Sequence, residues 1–445
     1  RITYDAVIRT PPKLLALMSA DNDPMTPRSG EYRFEMPQPI PSYLLAIAAG
    51  NLFFAPIGED TGVYAEPELL NASAWEFAET QAMLEAAEAR YGPYEWGRYD
   101  LLILPPAFPY GGMENPRLSF ITPSIIAGDR SLVSLIAHEL AHSWSGNLVT
   151  NATWRDIWLN EGTTSYLESR LMEELFGADR ADEERVLAWE SLQQALQEVP
   201  ATMQPLAPKI LPEDGEDAQD GMQYAKGQFF LEHLERQFGR EAFDAFLAGY
   251  FRHFQWRSIT TEQFLDHLDE NLLGARPGVY GRDEAAEWLY GPGIPADFEP
   301  PTSRNLEQAA SAARRWAAGE AALEDIETDS WSPQATVQFI NHLPAELTAE
   351  QLAELDWTFG LSESPNAEIA RAWFIQVAAR RYEPAYAAME EHLARNGRMR
   401  LITPVYAALV ENGQDAALAR RVFERARDAY HPITVEAVEW ALSGQ

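Results

Sequence analysis

The pattern of apolar and polar positions divides the chain into three stretches. Over residues 1–55 it comes in short runs: Ile2 to Ile8 partly alternates, Glu31 to Met36 alternates clearly, and Tyr43 to Ala49 is continuously apolar. Period-two alternation marks a half-buried strand, and a short apolar run marks a fully covered one. Pro11-Pro12, Asp23-Pro24 and the prolines from Pro37 to Pro41 interrupt these runs, since proline cannot donate into a ladder. So few short strands close no comfortable sheet of their own, and the stretch is expected to be the tail of a larger β domain.

From about 56 to 292 strands come before helices, the order of an α+β lobe. Ala74 to Tyr91 reads as one acidic amphipathic helix, Asp100 to Leu104 as a buried strand ended by Pro105-Pro106, and Leu118 to Thr122 as another strand. Apolar residues at helical spacing from Ser131 to Ala137 lead into a buried helix carrying residues 138–142, and a second helix is expected from about Asp156 to Phe176. Prolines and glycines from Tyr290 to Pro301 predict a linker. Beyond it the pattern is helical throughout, with a capping box at Thr348 and Gln351 and one apolar stripe through Ile369, Trp373 and Val377. The expected fold is therefore a multidomain α+β protein, divided into 1–55, 56–292, a linker at 293–303, and an all-helical 304–445.

The candidate chemistry lies at the junction of the two central helices. His138 and His142 in His-Glu-Leu-Ala-His are four apart, so on a helix they share one face and can reach a single tetrahedral ion. A catalytic zinc takes three protein ligands, and a carboxylate commonly joins two histidines. Glu161, beyond a helix end, a turn and the start of the next helix, supplies it. Glu139 stands beside the ion and is the candidate general base. A chance match on an amphipathic helix is the competing reading, and the cost of burying two imidazoles and a carboxylate without a task argues against it. Glu168, seven residues after Glu161, shares its helical face; support of a ligand and a solvated surface acid are both open readings.

Four further segments carry weaker signals. Paired glycines in Gly111-Gly112-Met113-Glu114-Asn115 let backbone approach a bound peptide, with Glu114 suited to an α-ammonium group, although spacing alone favours a plain glycine turn. Tyr224 is a neutral donor able to stabilise an oxyanion, and otherwise a packing tyrosine. Arg398 and Arg400 can grip a carboxylate, or simply face solvent. The acids Glu213, Asp214, Glu216, Asp217 and Asp220 form either a solvated loop or a selector for basic side chains.

Composition sharpens this picture. With no cysteine, a zinc site must be built from His and carboxylate, and disulfides are excluded. A formal charge of −34 argues against nucleic acid and anionic membrane as partners. No apolar run approaches the ~20 residues of a membrane span. The chain opens at Arg1 without a signal-like segment, and is expected to start partway through a longer protein.

Together, PPAFPYGGMENP, HELAH, GNLVTNATWRDIWLNEG, YAKG and GRMRLITP resemble the one-zinc gluzincin aminopeptidases, and within them the leukotriene hydrolase and aminopeptidase B subgroup. The resemblance implies a thermolysin-like catalytic domain at 56–292 between a remnant β domain and a helical C-terminal domain. It implies one zinc held by His138, His142 and Glu161, with Glu139 as base and Tyr224 stabilising the transition state. Gly111, Gly112, Met113 and Glu114 would hold the free amino end of short peptides. Arg398 and Arg400, the latter replacing the usual Lys, would hold their carboxylate. Against the resemblance, most of the family's β domain is expected to be absent from this sequence and Gln219 stands where a Tyr is common. Both argue against lipid epoxide hydrolysis, whereas peptide hydrolysis needs none of the altered residues directly. A monomer is expected. The resemblance implies a cytoplasmic protein, and the lack of cysteine would also suit an exported bacterial one. The alternatives carried forward are a thermolysin-type endopeptidase and a peptide-binding scaffold.

Overall fold

The N-terminal alternation becomes two strand pairs. In the computed structural model, which describes residues 1–209, 221–328, 331–411, 413 and 415–443, β1 (Ile2–Arg9) runs antiparallel to β3 (Glu31–Ile40), with Tyr4 opposite Met36. The pair β2 (Leu15–Met18) and β4 (Ile47–Gly50) is also antiparallel. The apolar run from Tyr43 to Ala49 is not one strand. Pro41 starts a 3₁₀ turn over Ser42–Leu44, and extended backbone resumes as a strand only at Ile47. The acidic loop at Glu213, Asp214, Glu216, Asp217 and Asp220, and Gln219 with it, lies outside the described residues.

A five-stranded sheet supports the centre of the molecule. It comprises β5 (Phe53–Pro56), β6 (Thr61–Ala65), β7 (Tyr99–Ile103), β8 (Gly112–Met113) and β9 (Leu118–Ile121), in the order β5-β6-β7-β9-β8. The strands β6, β7 and β9 are parallel, and the edge strands β5 and β8 are antiparallel to their neighbours. Every residue of β7 is buried, Asp100 paired with Arg98 and the apolar run from Leu101 to Ile103 fitting a strand covered on both faces.

The single helix expected from Ala74 to Tyr91 is two, α1 (Pro67–Glu76) and α2 (Thr80–Tyr91). Thr80 offers the backbone an alternative to the helical ladder: its hydroxyl and its N–H both donate to the Phe77 carbonyl, at 2.7 and 3.0 Å. The break turns Glu76 inward, where its carboxylate accepts from the N–H groups of Gly128 and Arg130, each at 2.8 Å. That ties down the loop leading into α3 (Ser134–Ala141), whose C-terminal cap is His142.

Helix α4 (Trp158–Phe176) follows a 3₁₀ turn at Trp154–Asp156. Next come α5 (Ala178–Glu198), α6 (Met222–Phe238), α7 (Arg240–Phe254), α8 (Thr261–Leu268) and α9 (Arg282–Tyr290). Strand β10 (Val149–Asn151) pairs in parallel with β11 (Arg257–Ile259). Among the described residues no helix is long and apolar enough to cross a membrane.

The C-terminal part is all helical: α10 (Arg304–Ala317), α11 (Pro333–Asn341), α12 (Ala349–Phe359), α13 (Ala367–Arg380), α14 (Tyr386–Arg395), α15 (Met399–Glu411), α16 (Ala416–Ala426) and α17 (Pro432–Ser443). The capping box at Thr348 and Gln351 forms, and Trp373 and Val377 are fully buried. One apolar core runs from Ala16 to Phe298 and a second from Leu306 to Leu442. Polar contacts join them at the loop before α3: Ser131 Oγ accepts from Asn366 Nδ2 at 2.8 Å, and the Ser131 carbonyl accepts from Gln334 Nε2 at 3.1 Å.

Helices α4 and α6 meet backbone to backbone at Gly162 and Gly227. A Cβ built on Gly227 would lie 2.7 Å from the Gly162 Cα, and one on Gly162 would lie 2.6 Å from the Gly227 Cα. This contact brings the first turn of α6, with Tyr224, over the first turn of α4, with Glu161. Gly227→Ala is therefore expected to destabilise by about 1–3 kcal/mol. At Gly249, on α7, a Cβ meets nothing within 4 Å. There the same substitution should stabilise by up to about 1 kcal/mol. Urea denaturation of the two variants checks the opposite signs.

Candidate functional site

His138 and His142 leave the end of α3 one turn apart, and Glu161 reaches them from the first turn of α4. The two Nε2 atoms are 3.2 Å apart, and Glu161 Oε2 lies 3.4 Å from each. The outer nitrogens are already engaged. His138 Nδ1 is 3.0 Å from Glu168 Oε2, and His142 Nδ1 is 2.9 Å from the Ser145 carbonyl and 3.1 Å from Thr164 Oγ1. Each outer nitrogen facing an acceptor carries the proton, so each Nε2 presents a lone pair to the other and to the carboxylate. Glu161 Oε2 is buried with no hydrogen-bond donor.

Three acceptors held this close repel one another unless a cation lies between them. Ligands about 2.0–2.1 Å from a tetrahedral ion stand roughly 3.3 Å from each other, which is the spacing observed. His138, His142 and Glu161 thus fit zinc. The electrostatics agree: burial lowers the proton affinity of His142, but the Glu161 and Glu114 carboxylates outweigh it and push its pKa up to about 9. The Glu161 carboxyl, opposed by burial, is held far below its ordinary range by His142 and His138. The pocket demands positive charge.

Two more carboxylates face the open side of the triad. Glu139, 5% exposed, rests against Gly112, where an added Cβ would lie 2.1 Å from its Oε1. Only glycine leaves room for it. Burial pushes the Glu139 carboxyl up to about 7, against the pull of both histidines. Glu114 is also buried, and burial raises its pKa. Ligand atoms of Glu114, Glu139 and His142 all lie within 4.8 Å of one another.

The glycine segment is an edge strand as well as a turn. Gly112 and Met113 pair with Ile121 and Phe120 on one side only, and the turn follows at Asn115, whose N–H donates to the Met113 carbonyl at 2.9 Å. Asn147 Nδ2 fixes the Glu114 carbonyl at 2.9 Å. Tyr224 is not a packing residue. The residue is 42% exposed, and its ring stacks on His138 with centroids 5.9 Å apart and planes inclined by 19°. Its hydroxyl lies deeper, where burial and then the Glu161, Glu114 and Glu139 carboxylates raise its pKa well above the ordinary value.

The peptidase family M1 domain matches residues 75–277, and the leukotriene A4 hydrolase C-terminal domain matches residues 331–442. Leucine aminopeptidase 2 of Yarrowia lipolytica is 37% identical over 92% of this chain and 66% of its own length. Leukotriene A-4 hydrolase of Xenopus laevis is 35% identical over 98% of this chain and 73% of its own. The structure of yeast LTA4 hydrolase in complex with bestatin superposes with a TM-score of 0.90 at 31% identity, covering 99% of this chain and 74% of that one. The chain belongs to the M1 family of zinc metallopeptidases. It spans about two thirds to three quarters of the length of these relatives.

Of the two arginines of this M1 chain, Arg398 reaches the site, from the start of a C-terminal helix. Gly397 N–H donates to the Pro106 carbonyl at 2.8 Å and Met399 N–H to that of Pro109 at 3.0 Å, so the start of α15 is stapled to the loop before β8. Arg398 is thereby laid against Gly111, where an added Cβ would lie 2.8 Å from its guanidinium. Arg400 is turned the other way, onto Glu368. Residues whose part is plain only in the structure are Thr164 and Ser145, which orient His142, and Asn147, which fixes Glu114. Thr164 lies three residues after Glu161 on one helix, a spacing that points to it; Ser145 and Asn147 leave no such signal.

One zinc per chain is expected by metal analysis, and its removal by a chelator should lower the melting temperature, because the folded state alone assembles the triad. Glu168→Gln should weaken zinc affinity about 10–100-fold, read by competition with a chromogenic chelator. Unchanged affinity would remove Glu168 from the support of His138.

Proposed function

We propose that this M1 chain is an aminopeptidase that removes the N-terminal residue of short peptides. The observation that carries the reading is Glu114, a buried carboxylate at the end of an edge strand, beside the open face of the metal triad. A peptide added along β8 gains main-chain hydrogen bonds, and its α-ammonium group meets Glu114. An isolated buried carboxylate is costly, and an ammonium group at that place relieves it. An internal segment of a longer chain offers no such charge.

The other roles follow from position. When bound by His138, His142 and Glu161, zinc supplies Lewis acidity toward the scissile carbonyl and acidifies water. Glu139 takes the proton of the attacking water and passes it to the leaving amine, as a buried carboxylate beside the ion is placed to do. Tyr224 donates its phenolic hydrogen to the developing oxyanion. Gly111, Gly112 and Met113 supply backbone to the substrate, and Arg398 with Arg400 forms a cationic wall for its carboxylate. We further take 1–55, 56–292, 293–303 and 304–445 as the divisions of the chain, and a monomer as the acting unit.

A peptide with a free amine should be cleaved about 10–100-fold faster than its N-acetylated form, the range expected when a charge-assisted hydrogen bond is lost. Equal cleavage would favour an endopeptidase. Glu114→Ala should narrow that ratio by slowing the free-amine peptide more. Glu139→Gln should retain zinc while losing about 10²–10⁴ in turnover. Chelator-insensitive binding of intact peptide without turnover would instead favour a scaffold.

A further inference from the structure

Two arginines, Arg371 and Arg400, pair with one carboxylate, Glu368, near Arg398. Glu368 sits in the first turn of α13, where the helix N-terminus favours an anion. Its Oε1 pairs with Arg400, and its Oε2 accepts from Arg371 Nε at 3.2 Å. Arg398 lies close enough to be influenced by Arg400, Glu368 and Arg371 together, yet among the described residues it makes no ion pair. The side chain of Glu368 is 15% exposed and that of Arg400 is 59% exposed. The carboxylate is therefore fixed while its outer partner stands at the cleft rim. In a chain of net charge −34, three guanidiniums share one paired carboxylate, Glu368, with Glu139 acting on Arg398 from the metal side, and this local excess of cations suits a second anion.

We propose that Glu368 is a specificity-determining residue: a built-in counter-carboxylate that competes with the C-terminal carboxylate of a short peptide for Arg400. This rests on the aminopeptidase reading. While Glu368 holds Arg400, only Arg398 meets the substrate's carboxylate directly, and Arg400 joins only by giving up its internal partner. The advantage of a free C-terminus over an amidated one is thereby reduced, so that peptides whose carboxylate falls elsewhere are still accepted. A purely structural ion pair explains the Arg371 contact, which is shielded. It does not explain a second arginine held at the rim beside Arg398.

The test compares a tripeptide with its C-terminal amide. KM and kcat are read in the active enzyme, and affinity is read by calorimetry in the Glu139→Gln background. Glu368→Gln is expected to lower KM and Kd for the acid about fivefold more than for the amide. With Arg400→Gln also present, that extra gain should vanish, since the competition needs Arg400. An acid-to-amide ratio unchanged by Glu368→Gln overturns the proposal, and so does an equal gain with and without Arg400. Should Glu368→Gln fail to fold, Glu368→Asp keeps the charge but withdraws it from Arg400. It should move the ratio the same way by about twofold, and no movement overturns the proposal. If neither peptide is cleaved while the affinity ratio still shifts, the reaction assigned above fails and the role of Glu368 stands.

Discussion

The structure depends on one unfavourable arrangement. Two imidazole nitrogens and a carboxylate oxygen are held within 3.4 Å of one another, with their lone pairs inward and no donor between them. Left as they are, these acceptors would move apart. They are kept together because each is gripped from behind: His138 by Glu168, His142 by Ser145 and Thr164, and Glu161 by the helix on which it sits. The constraint sits among fully buried side chains. Trp158, Tyr166 and Leu167 on α4 and Leu140 on α3 are fully buried, so a cation is the least disruptive way to satisfy the triad.

Glycine sets the remaining distances. At Gly112 the backbone touches the Glu139 carboxylate, at Gly162 and Gly227 two helices touch each other, and at Gly146 a positive φ of 113° leaves space beside His142 Nδ1. None of these positions bears a functional group, yet each fixes how near one functional group comes to another. A side chain at any of them would separate groups whose chemistry requires contact.

Where the sequence was legible, a short-range rule was enough. The His138–His142 spacing on one helix face, the Thr348 capping box and the β7 run each depend on neighbours a few residues away. Glu161 is reached across a turn, and the two motifs bounding it made it identifiable. The split between α1 and α2 was hidden because Thr80 acts through a hydroxyl contact that helical periodicity does not register. Strand β2 is four residues long, too short to show a period. Glu168 and a surface acid look alike in sequence; only the orientation of the His138 ring separates them. The contact between Arg400 and Glu368 joins residues 32 apart on different helices, and no local pattern encodes it.

The charge distribution extends the same logic along the cleft. A strongly acidic chain repels anions over its surface at long range, so a cationic wall has to be assembled locally, and screening over ~8–10 Å confines its reach. On the proposed aminopeptidase reading, Glu114 and Arg398 offer opposite charges to a zwitterion whose amine and carboxylate are only a few residues apart. The two ends are not equally strong. Glu114 is buried, so its attraction for an ammonium group is little screened, while the arginine wall opens to solvent at Arg400 and is partly neutralised by Glu368. On that reading the amine would be the obligatory handle and the carboxylate the adjustable one. This asymmetry suits an enzyme that must recognise where a peptide begins but tolerate variation in where it ends.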